Sequence, residues 1–213
     1  TKALSLNGTL GLAFGARGRG GRAAAHYESS KLAINLTKTA GPGSLAHEWF
    51  HALDNYFARI NVSGLEFQGG QRKDGHRDPL HKYASEGLKP VAEHITQYAR
   101  PEIIKAWSEL QDKLSEGEFS QRSLFLDQAR KKPYFSQTLE KAARGFEKYA
   151  KTKLAEATIV NDYLVNINED PEGPYPTDEE MSEAGITQAY DNLFSTIETQ
   201  STKSGIAMFS LDP

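Results

Sequence analysis

The stretch Ser44-Leu45-Ala46-His47-Glu48-Trp49-Phe50-His51-Ala52-Leu53-Asp54 decides the fold. His47 and His51 stand four residues apart, so on a helix they share one face, one above the other. Two imidazoles at that spacing can grip one metal ion. Glu48 follows the first of them and lies at the edge of the same face. There it is close enough to take a proton from water beside the ion without being a ligand itself. Gly41-Pro42-Gly43-Ser44 ends whatever precedes, and Ser44 is a good N-cap. Leu45, Ala46, Trp49, Phe50, Ala52, Leu53, Tyr56 and Phe57 make nearly every side of the helix apolar, the pattern of a helix buried in the middle of a domain. Histidines and a glutamate in such a helix are costly unless something satisfies them, and a metal does.

The chain has 213 residues, enough for one domain with a small appendage, and an ordinary 38% hydrophobic and 25% charged composition. Its formal net charge of -3 gives no global case for binding nucleic acid or an anionic membrane, although a local nucleic-acid contact stays open. Cysteine is absent, so a zinc site must be built from His and carboxylate ligands, and a reducing cytoplasm is a compatible location. No apolar run approaches the roughly 20 residues of a membrane span, and no signal peptide is visible. Thr1 opens the chain and the only methionines are Met181 and Met208, which reads as a piece of a longer protein with further domains.

Working outward from the helix, Leu32, Ile34 and Leu36 alternate. They predict a strand paired with His26-Tyr27-Glu28 across the turn Glu28-Ser29-Ser30-Lys31. Residues 3–14 read as one or two further strands about an Asn7-Gly8 turn. Between these lies the glycine-rich Gly15 to Arg22 segment. Its Arg17, Arg19 and Arg22 could meet a phosphate or a carboxylate, although a flexible exposed loop is the simpler reading. His26 reads as structural. The polar stretch Gly64 to Pro79 is a long loop that could shape a cleft; His76 and His81 read as solvated side chains before they read as ligands.

Helices dominate afterwards: Pro90 to Tyr98, Pro101 to Gly117, a segment capped by Ser120, and a long helix from Leu139 to about Ala155. On the last of these, Ala142 and Ala143 permit close packing against the histidine helix. A catalytic zinc site needs a third protein ligand besides two histidines. Glu140 is the first candidate and Glu147 the second, and spacing does not separate them. Asp54, one turn beyond His51, could orient an imidazole. Tyr149, Tyr163, His81 and His94 form the pool for an oxyanion donor. Glu169 to Pro176 reads as a proline-rich linker, and Thr177 with Glu180 as a capping box opening a final helix to about Ile197.

Leu12-Ala13-Phe14-Gly15-Ala16-Arg17-Gly18, His26-Tyr27-Glu28, Ile34-Asn35-Leu36-Thr37-Lys38 and Gly43 to Asp54, with the later Ser136-x-x-x-Glu140-x-x-Ala143-Arg144-x-Phe146-Glu147-x-Tyr149, resemble the zincin-like domain of large polyvalent proteins from phages and conjugative elements. The resemblance covers most of the chain. It implies an α+β, zincin-like fold, with a small N-terminal sheet, a buried His-Glu-x-x-His helix and a mostly helical remainder. It also implies a zinc metallopeptidase that enters a host bacterial cell with mobile DNA. In glutamate-type zincins the third ligand sits on a later helix, and Glu140 matches that position. The expectation is therefore a metallopeptidase domain over 1–168, with 169–213 as linker, helix and tail packing on it. Zn2+ would be held by His47, His51 and Glu140, with Glu48 as general base acting on a protein, peptide or its own precursor. The alternative is a non-enzymatic, zinc-stabilised module whose arginine loop binds DNA or a host defence protein.

Overall fold

A computed structural model describes residues 4–15, 24–38, 41–60, 67–68, 71–72, 83–87, 100–202 and 205–209. The architecture is α+β. Strands β1 (Gly11–Phe14), β2 (Ala25–Glu28) and β3 (Ala33–Leu36) form a sheet of order β1-β3-β2, in which β1 runs parallel and β2 antiparallel to β3. Helix α1 (Leu45–Ile60) follows. Two short pairs, β4 (Phe67–Gln68) with β5 (Gln71–Arg72) and β6 (Glu198–Thr202) with β7 (Gly205–Phe209), stand apart from that sheet. A single 3-10 turn, Ala84–Glu86, precedes α2 (Pro101–Ser115), α3 (Gly117–Asp127), α4 (Thr138–Glu156), α5 (Asp178–Glu183) and α6 (Ile186–Ser195). Among the described residues no helix is long and apolar enough to cross a membrane.

The hairpin of β2 and β3 forms as its alternation predicts, with Tyr27 opposite Ile34. The segment before β1 does not pair as a strand. Leu6, Asn7 and Gly8 all take positive φ, and the compact turn they make drops Leu6 into the core at 1% exposure. Asn7-Gly8 is thus a turn, but one that plugs α1 from outside: Asn7 donates to the Tyr56 hydroxyl and Trp49 to the Leu4 carbonyl.

The start of α1 is fastened to the 163–166 segment. Ala46 N–H donates to the Leu164 carbonyl, Gly43 N–H to Tyr163 and Asn166 N–H to Gly43. Gly43 has φ +91, and a Cβ there would lie 2.6 Å from Asn166 Cβ, so only glycine fits this clasp. From there α1 runs through the core. Phe50, Leu53 and Phe57 are fully buried and pack with Trp107, Phe146 and Tyr190 from α2, α4 and α6.

Helix α4 lies close along α1, with Ala142 and Ala143 at 0% exposure. On its other side it meets α6, where the Tyr190 hydroxyl donates to the Ala142 carbonyl at 2.6 Å. A Cβ on Gly145 would stand 2.6 Å from that hydroxyl. Gly145→Ala therefore tests two opposed effects. Alanine gains about 1 kcal/mol of helix propensity, but overpacking a closed core costs about 1–3 kcal/mol and the displaced hydrogen bond about 1 more. The expected outcome is a net loss of on the order of 2 kcal/mol, read as a lower denaturant midpoint; an unchanged or higher midpoint would show that Tyr190 yields freely.

The expected final helix is two helices. Thr177 and Glu180 do form the capping box of α5, but Gly185 at φ +74 breaks the helix before α6 begins. The proline-rich segment before it is fixed in place by Arg122 of α3. Its guanidinium donates to the Gly173 and Tyr175 carbonyls and pairs at 2.7 and 2.8 Å with both oxygens of Glu180.

Candidate metal centre

Helices α1 and α4 bring three side chains to one point. His47 and His51 turn their Nε2 atoms toward each other at 3.0 Å. The Glu140 carboxylate lies 3.6 Å from each, one oxygen facing each ring. Ligand atoms of all three fall within 4.8 Å of one another, and the group could hold a metal ion. Zinc bonds of 2.0–2.1 Å in tetrahedral array put donor atoms about 3.3 Å apart, which lies between the two separations found here.

The surroundings fit a cation. Glu48, Glu140 and Glu147 are 7%, 8% and 3% exposed, and the one permanently charged cation in direct contact with any of them among the described residues is Arg144, 3.1 Å from Glu140 Oε2. Three buried carboxylates against one guanidinium leave an excess of negative charge that a divalent ion balances. Glu140 Oε2 is itself buried and makes no well-formed hydrogen bond. Burial opposes a charged imidazole at His47. Hydrogen bonds to Glu140 and Glu147, and the charges of Glu147 and Glu48, outweigh it and carry His47 up to about 10. A proton on His47 and an ion at its Nε2 answer the same negative field.

Glu147 lies on the same face of α4, two turns after Glu140, and reaches a different atom. Its Oε2 sits 2.9 Å from His47 Nδ1, on the far side of the ring from His51 and Glu140. Burial raises Glu140, but its bond to His47 and the charges of His51, His47 and Arg144 bring it below its ordinary value. Glu48 lies beside the group. Burial pushes it up to about 7 against the pull of the His47 charge and a hydrogen bond from the backbone of Tyr27 on β2.

The remaining predicted residues distribute as follows. Asp54 is fully buried and accepts from the backbone N–H and hydroxyl of Ser85 at 2.8 and 2.6 Å, so it anchors the 3-10 turn. That turn brings Tyr83 edge-on to His51, ring centres 5.9 Å apart. Tyr149 donates its hydroxyl to Asp191 and stacks on Phe194, within an aromatic cluster on the α6 side of α4. Tyr163 is exposed, and so is His26. Arg17, Arg19, Arg22, His76, His81 and His94 lie outside the described residues. Sequence reasoning passed over Tyr83, Tyr134 and Tyr175: Tyr134 stands beside Glu140 and Tyr175 beside Glu147, and burial first, then those charges, push both phenols up. No spacing rule links these tyrosines to the histidine motif, since each comes from a loop.

The loop before α4 owes its shape to Asp127. Its carboxylate accepts from the backbone N–H groups of Tyr134, Phe135 and Ser136 and from the Ser136 hydroxyl, at 2.7 to 3.0 Å. The loop in turn lays Tyr134 and Phe135 under the Arg144 guanidinium, 4.8 and 4.9 Å from the ring centres. Burial works against ionised Asp127, but these hydrogen bonds prevail and hold it down at about 2. A folded-state value below the ordinary one makes the ionised form stabilising above about pH 4, and that contribution is lost as pH falls toward 2. Asp127→Asn should therefore destabilise the protein by on the order of 2 kcal/mol at neutral pH, and the gap from wild type should close on acidification through that window. Melting curves at stepped pH check this; a gap that stays constant with pH would remove Asp127 from the account.

Residues 126–201 match the family model described as large polyvalent protein-associated domain 1. The matched part contains α4, with Glu140, Arg144 and Glu147, but not α1 with its histidines. The match supports a large-polyvalent-protein context for the chain. Comparison with curated proteins and with solved structures gives no significant match.

Proposed function

We propose that this chain is a zinc-dependent metallopeptidase, with His47, His51 and Glu140 holding the ion and Glu48 as general base. The observation that carries the reading is the convergence of two Nε2 atoms and one carboxylate, with a separate buried carboxylate one residue after His47. A bound zinc ion supplies Lewis-acid polarisation of a carbonyl and a more acidic water.

The chain's own residues supply the rest. Glu48 removes the proton of the attacking water and delivers it to the leaving amine. The bond to His47 and the charges of His51, His47 and Arg144 favour ionised Glu140. Strand β2 is an outer strand of its sheet, and its Tyr27 lies beside Glu48. An extended peptide paired along that edge would pass the general base. The context of large polyvalent proteins agrees with action inside a host cell, on host proteins or on the chain's own precursor.

The test is chelator-sensitive proteolysis. Purified chain loaded with zinc should cleave an unfolded protein, a host-cell lysate component or itself, and a chelator should stop it with recovery on adding zinc back. Cleavage that survives chelation, or zinc-loaded chain that cleaves none of the three, would overturn the reading.

A further inference from the structure

The proposed function leaves Glu147 without a task, although it is among the most deeply buried carboxylates of the chain at 3% exposure. A carboxylate so placed stays only if it is held and used. Its Oε2 is 2.9 Å from His47 Nδ1. A hydrogen bond there puts the proton on Nδ1 and leaves the Nε2 lone pair aimed at His51 and Glu140, the tautomer a metal ligand needs.

Tyr175 stands beside Glu147, its phenol pushed up by burial and then by the Glu147 charge. Tyr175 is no free loop residue. Its carbonyl accepts from Arg122 Nη2 at 2.9 Å, and the same guanidinium grips Gly173 two residues earlier and Glu180 five residues later. Glu180 in turn closes the capping box with Thr177. The segment from Gly173 to Glu180 is therefore stapled by one arginine, with its tyrosine beside the carboxylate behind His47.

We infer that Glu147 is a positioning residue that fixes the tautomer and orientation of His47 and so sets the affinity of the metal centre. This rests on the metal-binding part of the proposed function. It adds that Glu147 never ligates the ion.

Metal binding without turnover tests it, using zinc against a chromophoric chelator and the visible absorption of the cobalt(II)-loaded chain. Glu147→Gln keeps an acceptor but loses the charge, and should weaken zinc about tenfold; Glu147→Leu loses both, and should weaken it by up to about 100-fold. Both should keep the wild-type cobalt band positions, because the ligands are unchanged, whereas Glu140→Gln should shift or abolish them. Wild-type affinity in Glu147→Leu would overturn the inference alone. A cobalt spectrum altered by Glu147→Gln would overturn it by making Glu147 a ligand. Failure of the wild-type chain to bind zinc would overturn it together with the metal reading beneath it.

Discussion

Glu48→Gln should leave zinc content and melting behaviour close to wild type while peptide-bond hydrolysis falls by 10²- to 10⁴-fold. The substitution keeps the size of the side chain and its capacity to accept a hydrogen bond, but removes the base. Proton-transfer catalysis contributes about that factor, roughly 3 to 5 kcal/mol of barrier. The charge of Glu48 is the last of the influences on His47, behind burial, two hydrogen bonds and the Glu147 charge. Burial already disfavours it, so the neutral amide costs the fold little. The readout is a pair of progress curves, wild type and variant, on whichever substrate shows chelator-sensitive cleavage. Equal rates would take Glu48 out of the chemistry. A variant that lost its zinc would show that Glu48 holds the centre together instead of working beside it.

Removing the ion should have the largest effect on stability. The centre gathers Glu48, Glu140 and Glu147 around His47 with Arg144 as their single contacting guanidinium among the described residues, so stripping the ion restores a buried charge imbalance there. Free zinc at a thousandfold excess over its dissociation constant stabilises the folded state by about 4 kcal/mol, and for a domain of this size that is on the order of 10 °C in Tm. Chelated protein should melt lower by about that interval, and zinc should restore it. In Glu140→Gln the zinc-dependent part should vanish while the metal-free Tm stays near that of stripped wild type. A wild-type Tm indifferent to chelator and zinc would end the metal reading; a full zinc response in Glu140→Gln would reassign the third ligand.

The sequence displayed the two helices of the centre clearly because both obey short-range rules. Helix α1 shows a His-x-x-x-His spacing inside an apolar run, and α4 an unbroken helical pattern with two alanines where packing is closest. It could not rank Glu140 against Glu147, since residues two turns apart share a face. What separates them is which edge of the His47 ring each one meets, and that depends on how the helices lie together. Asp54 misled for a related reason. Its position one turn after His51 suggested an imidazole partner, but Ser85, 31 residues later, takes its carboxylate. The Asn7-Gly8 turn was legible, but not that it folds Leu6 into the core in place of a strand; the break at Gly185 escaped because it sits inside a stretch whose apolar pattern reads as continuous. Tyr83, Tyr134 and Tyr175 were invisible because loops deliver them, and loop geometry here is written by distant side chains such as Asp127 and Arg122.

The histidines and their glutamate partners come from opposite sides of a long intervening segment, His51 on α1 and Glu140 on α4. An ion bridging them closes a loop as a cross-link would, and long loops are the ones whose closure most restricts the unfolded chain. It also sets an order of events during synthesis. A growing chain displays its His-Glu-x-x-His helix early, but it has no third donor until α4 has left the ribosome and docked on α1. On the proposed function, the nascent polypeptide would be disarmed by its own topology, unable to cut its neighbours on the polysome before its own domain is folded.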